Sequence, residues 1–123
     1  MSTNKTKQAL INWINAVESL QLTSILDLYH PQAILLPTLS NQICTTNNHI
    51  QEYFTSFLQK NPKCTINEYH IQPIDSSQHA IISGIYTFTF NNETIASARF
   101  TFCFDHSADQ PLIKHHHSSV LPN

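Results

Sequence analysis

The chain is 123 residues long, 41% hydrophobic and only 11% charged, with a formal net charge of −2. That length suits one domain, 1–123, with a core of its own, and the near-neutral balance gives no electrostatic footprint for nucleic acid or an anionic membrane surface. Against about 25% charged residues in an average soluble domain, so weakly charged a surface resists association poorly, which predicts a homodimer or larger ring.

In chain order, Leu10, Trp13, Ile14, Val17 and Leu20 recur at helical spacing, predicting an amphipathic helix from about Thr6 to Leu20. Polar residues interrupt its apolar ones, so it does not read as a signal peptide, and no apolar run approaches membrane-spanning length. A short helix from about Thr23 to Tyr29 follows, stopped by Pro31. Ala33–Leu36 is an apolar strand, and Gln42–Thr45 a short return strand after the turn at Ser40-Asn41. A third helix begins near Asn48 and buries Ile50, Tyr53, Phe54, Phe57 and Leu58 before Asn61-Pro62 ends it. From Lys63 onward the period is two. Strands run over about Cys64–Ile74, Ala80–Phe90, Glu93–Asp105 and Leu112–Leu121, with Asn91-Asn92 as a tight hairpin between the middle pair. Helices first and a long antiparallel meander afterwards predict an α+β fold, a cone-shaped curved antiparallel sheet with three helices on one face. Cys44, Cys64 and Cys103 are widely spaced with no C-x-x-C pair. Reduced thiols and a cytoplasmic location are the expectation.

The last hairpin carries the chemistry. Alternation puts Ala98, Phe100, Phe102 and Phe104 on one face of its first strand, and Ser97, Arg99, Thr101 and Cys103 on the other. On the second strand Ile113, His115 and His117 share one face, Lys114, His116 and Ser118 the other. The phenylalanine face suits a subunit contact, which leaves Arg99 with His115 and His117 as an anion site inside the cone. A buried guanidinium needs a carboxylate partner, and no acid sits at an adjacent strand position. Trp13, Tyr29, Phe54 and Tyr86 are the aromatic candidates to line the pocket. The histidine pair lacks the further ligands a metal site needs, so neither metal nor cofactor is expected.

Two segments carry a resemblance: Ala98–Phe102 (ARFTF) with Ile113–Pro122 (IKHHHSSVLP), and Ile50–Phe57. They resemble SnoaL-like domains of the nuclear transport factor 2-like superfamily. Closest are small bacterial proteins similar to the calcium/calmodulin-dependent protein kinase II association domain. The resemblance implies the same cone fold, with an arginine at Arg99 and an H-x-H pair at His115 and His117. It also implies a second pocket arginine on the preceding strand, where this chain has Ile85 or Tyr86. The function expected is a self-associating domain holding a small organic, carboxylate-bearing ligand. One alternative is a lyase or isomerase using a pocket histidine (His115 or His117) or a carboxylate, for which Asp27 and Glu68 are the candidates. The other is a pure oligomerisation module.

Overall fold

The computed structural model describes residues 3–74 and 78–122 of the chain. The 3.6-residue apolar period produces helix α1, Thr3–Glu18, which buries Leu10, Trp13 and Val17 almost completely. Leu20 ends it by turning left-handed at φ 62°, with its N–H bonded to the Val17 carbonyl. A residue with a side chain costs about 1–2 kcal/mol in that conformation. No glycine lies within reach to relieve it, because the chain has only one.

Helix α2, Leu22–Leu26, stops short of the expected Tyr29, which instead opens strand β1, Tyr29–Leu36. The remaining elements are α3 (Asn47–Phe57), a 3-10 turn at Leu58–Lys60, β2 (Lys63–Pro73), β3 (His79–Thr89), β4 (Ile95–Asp105) and β5 (Leu112–Val120). The sheet order is β1-β5-β4-β3-β2. Of these four pairings β1–β5 is parallel and the other three are antiparallel. Pro31 is tolerated inside β1 because β1 is an edge strand whose pairing jumps from Tyr29↔Ile113 to Ile34↔His115. The expected return strand at 42–45 reduces to one bridge, in which Leu35 and Cys44 exchange backbone hydrogen bonds of 3.0 and 2.8 Å.

Thr46 starts α3, its hydroxyl accepting the His49 N–H at 3.2 Å. The loop between β3 and β4 is wider than a tight Asn-Asn turn. Phe90 donates its N–H to the Thr94 carbonyl, and Glu93 takes the left-handed position at φ 68°.

The sheet is curved and unclosed, and its helix-facing side forms the core. Phe100 and Phe102 lie there, 2% and 0% exposed within a single chain. They are therefore core and not a subunit contact. The reason is α1, whose Trp13 stands edge-on to Phe102 at 5.2 Å and covers the face that the sequence reading left for a second copy.

Candidate functional site: a polar line ending in an aromatic cleft

Inward-facing Phe102 fixes what lies beside it. Its partner across the β4–β5 ladder is His116, and the partner of Phe100 is Ser118, so both polar residues turn into the core. His116 is 3% exposed and stacks on Phe102 at 3.8 Å. Both its ring nitrogens are engaged: Nδ1 lies 2.9 Å from Tyr29 Oη, and Nε2 lies 3.2 Å from Tyr86 Oη. Trp13 donates its indole N–H to Tyr29 Oη at 3.1 Å. Tyr86 donates to Ser118 Oγ at 2.7 Å, and Ser118 in turn meets the hydroxyl of Thr38, just past the end of β1. One buried polar line therefore runs from Trp13 through Tyr29, His116, Tyr86 and Ser118 to Thr38. Tyr53 of α3 adds a bond from its hydroxyl to the Thr38 carbonyl, at 3.3 Å.

The line is electrically quiet. Burial pushes the imidazole of His116 well below its usual range, and His115 and His117 beside it add to the effect. Burial likewise raises the phenols of Tyr29 and Tyr86 well above theirs, although each is eased by a bond, from Trp13 and to Ser118 respectively. Near neutral pH all three are uncharged.

Its Thr38 end opens on a cleft that Leu35, Pro37, Phe54, Phe57 and Phe88 wall off. The empty space is about 350 Å³ with the mouth included, of which only about 20 Å³ can take the centre of a water molecule. The cleft is a slot between side chains. Among the described residues, no Asp, Glu, Lys or Arg lines it. Leu39, 59% exposed and left-handed at φ 62°, stands at its mouth. Beyond that residue lie two open surface clefts containing Lys60, one of them with His49 and Glu52 as well.

Of the residues singled out from sequence, Trp13, Tyr29 and Tyr86 come together in this line. Arg99, His115 and His117 also come together, but on the opposite face: all three are exposed, with Thr101 paired to His117 and Cys103 to His115. The expectation that they share the cone interior is thus corrected. The cause is that the phenylalanine face, covered by α1, is the core, so the face of Arg99 points outward; a bulge at Lys114, between the pairs Cys103↔His115 and Phe104↔Ile113, only separates inward Ile113 from outward His115. Asp27 and Glu68 are exposed too, and Glu68 bonds to His70 at 2.6 Å.

His116, Ser118, Thr38 and Tyr53 were missed. Treating the phenylalanine row as the core would have found the first two. Among the described residues, no group of three or more His, Cys, Asp and Glu side chains is placed to hold a metal ion. Burial raises all three thiols, Cys64 to about 12. Alkylation of the native chain by iodoacetamide at pH 7.5, followed by mass spectrometry, is therefore expected to be slow until denaturant is added.

The profile of the calcium/calmodulin dependent protein kinase II association domain family matches residues 5–122. A crystal structure of a Xanthomonas campestris protein attributed to that family is 32% identical, with a TM-score of 0.92, covering 100% of this chain and 90% of that one. Two more distant structures show the likeness of fold alone. One is a nuclear transport factor 2-like protein from Shewanella oneidensis, at 18% identity and a TM-score of 0.75, over 97% of this chain and 99% of that one. The other is a ketosteroid isomerase-like protein from Erwinia carotovora, at 14% identity and a TM-score of 0.69, over 95% of this chain and 94% of that one. No curated protein matches the sequence. With the profile spanning nearly the whole chain, this protein belongs to the calcium/calmodulin dependent protein kinase II association domain family.

Proposed function

We propose that this chain is a self-associating domain that also holds a small organic molecule in the aromatic cleft. The observation that carries the binding half is the polar line. A purely structural core gains more from apolar packing than from buried hydroxyls, each of which must be matched or cost free energy. Here a run of matched hydroxyls leads from the centre of the core to the wall of a cleft. Only about 20 Å³ of the cleft is open to the centre of a water molecule, far below the volume of typical ligand sites, so an organic occupant has to push wall side chains aside.

The small free space favours a second reading, an oligomerisation module whose pocket is filled by its own side chains. An isomerase or lyase is less supported. His116 has both nitrogens taken, and a general base needs one free to reach its proton.

The association half rests on the family and on the outer face of the sheet. There Ile81, Ile85, Thr101 and Cys103 are half-buried around Arg99 in a single chain, a weakly charged surface suited to a second copy. Light scattering at micromolar concentration is expected to give at least twice the 14.0 kDa chain mass. Ile85→Glu, which sets a charge in that face, is expected to lower it. A monomeric wild type would end the association reading. Unchanged mass in the Ile85 variant would move the contact to another face.

A further inference from the structure

We infer that the outer face of the sheet takes a second copy of this chain turned about a two-fold axis along β3, with Arg99 of each copy paired to Glu68 of the other. The inference rests on the self-association reading above and fixes the geometry of that contact.

The ladder sets three residues in one row. Glu68 of β2 pairs with Ile85 of β3, and Ile85 pairs with Arg99 of β4. Residues opposed across a ladder share a face, and this face is turned away from the phenylalanines that α1 covers. Glu68 and Arg99 are exposed there, and Ile85 between them is half-buried. Along 65–72 of β2, 81–87 of β3 and 97–103 of β4, Glu68 and Arg99 are the only Asp, Glu, Lys or Arg residues. The middle of the face thus carries one acid and one base, equally spaced about an isoleucine.

Neither charge satisfies the other within one chain. Strands lie about 4.8 Å apart, so the two backbones stand about 10 Å apart with Ile85 between them. Among the described residues no side chain pairs with the Arg99 guanidinium. Glu68 engages His70 through Oε2 at 2.6 Å, which leaves Oε1 for a further donor.

Symmetry decides how a second copy can sit. Two like sheets packed face to face are related by an axis lying between them. An axis along β3 exchanges β2 of one copy with β4 of the other and keeps every residue at its own level. Arg99 then faces the partner's Glu68, and the same pair forms twice. Along the axis itself Ile81, Ser83, Ile85 and Thr87 meet their own copies, and none of them is charged. An axis across the strands at this level sets Arg99 against Arg99 and Glu68 against Glu68. An axis along the central strand, β4, also opposes the two arginines. Facing like charges are disfavoured at an interface, so the first arrangement is selected. The angle of about 30° between aligned sheets displaces residues one strand from the axis by only about 2–3 Å, and long side chains absorb that.

Light scattering over a concentration series at pH 7.5 tests the pairing by charge reversal. Arg99→Glu sets glutamate against Glu68, and Glu68→Arg sets arginine against Arg99. Each variant alone is expected to self-associate at least about tenfold more weakly than wild type. An equal mixture of the two is expected to regain the wild-type mass, because every contact between unlike variants then joins opposite charges. Misfolded variants could not complement each other in this way. Single variants that associate as tightly as wild type overturn the pairing and leave self-association standing. Weakened variants whose mixture stays dissociated overturn it too, since the two charges then do not face each other. A monomeric wild type overturns the association reading along with it.

Discussion

Gly84→Ala is expected to cost about 3 kcal/mol or more of folding stability, from the addition of one methyl group to the chain's only glycine. Gly84 lies in β3 opposite Tyr69, just after the irregularity between Ile66 and Glu68 where β2 carries an extra residue. That bulge brings the β2 backbone over the position a side chain would fill. A Cβ built on Gly84 falls 1.9 Å from the Glu68 carbonyl oxygen and 2.8 Å from both the Glu68 carbonyl carbon and Tyr69 Cα. All three are backbone atoms, so no change of rotamer relieves the clash. Overpacking that side chains can absorb costs about 1–3 kcal/mol. Here β2 itself must move and loosen ladder hydrogen bonds worth about 1 kcal/mol each. Urea unfolding checks it, with a midpoint expected to fall by about 1 M or more. Ser83→Ala, next door on the outer face, is the control and is expected within about 0.5 kcal/mol of wild type. A Gly84→Ala midpoint matching that control would mean β2 slides aside freely.

The same bulged sheet explains which parts of the molecule the sequence announced. Helices α1 and α3 and the long strands were legible because Leu10, Trp13 and Val17, and Ile50, Phe54 and Phe57, keep the helical period, and because residues 80–105 alternate almost without interruption. The family was legible too, from the β4–β5 hairpin and α3. Alternation, however, says which residues share a face, and it is silent on which face is the core. Phe100 and Phe102 on one side and Arg99 with Thr101 on the other fit either choice until α1 is docked. Along β5 the count of two also failed locally, since the extra residue at Lys114 changes its phase. Bulges carry no reliable composition signal, so Ile113 was grouped with His115 and His117; His116 was placed outside for the other reason, because the phenylalanine face it shares was not taken as the core. Thr38 and Ser118 belong to a different class of miss. Small hydroxyl residues are common at strand ends and on surfaces, and only the distance between them makes them one site. Aromatic residues gave themselves away more readily: Trp13, Tyr29 and Tyr86 were marked from type and position, and they meet at His116.

His116→Leu is expected to cost about 2–5 kcal/mol at pH 7.5, and the loss is expected to shrink as the solution is acidified. Leucine fills much of the volume between Phe102 and Trp13 but takes away the partner of two buried phenols. Leaving a buried hydroxyl unmatched costs about 1–3 kcal/mol, and here Tyr29 and Tyr86 each lose one contact. Glutamine at 116 offers one acceptor and one donor and is expected to recover part of the loss. The pH dependence follows from the imidazole. Burial depresses its folded-state pKa well below the ordinary 6.5, with His115 and His117 adding repulsion, while Tyr29 and Tyr86 stay neutral. Below about 6.5 the unfolded chain binds a proton at this position that the folded chain refuses. Unfolding then takes up protons, and wild-type stability falls with pH by up to about 1.4 kcal/mol per unit from this one group. The loss starts near 6.5 and continues until the depressed folded-state pKa is reached. His106, also lowered by burial, contributes in the same direction, but it does so in both proteins and cancels in the comparison. Leucine has no proton to refuse, so the stability gap between wild type and variant is expected to narrow by up to about 2 kcal/mol between pH 6.5 and 5.0. Urea unfolding of both proteins at pH 7.5, 6.5 and 5.0 measures that gap. A gap that stayed constant would mean His116 takes up its proton in the folded protein as easily as in water, and the neutral line from Trp13 to Thr38 would have to be abandoned.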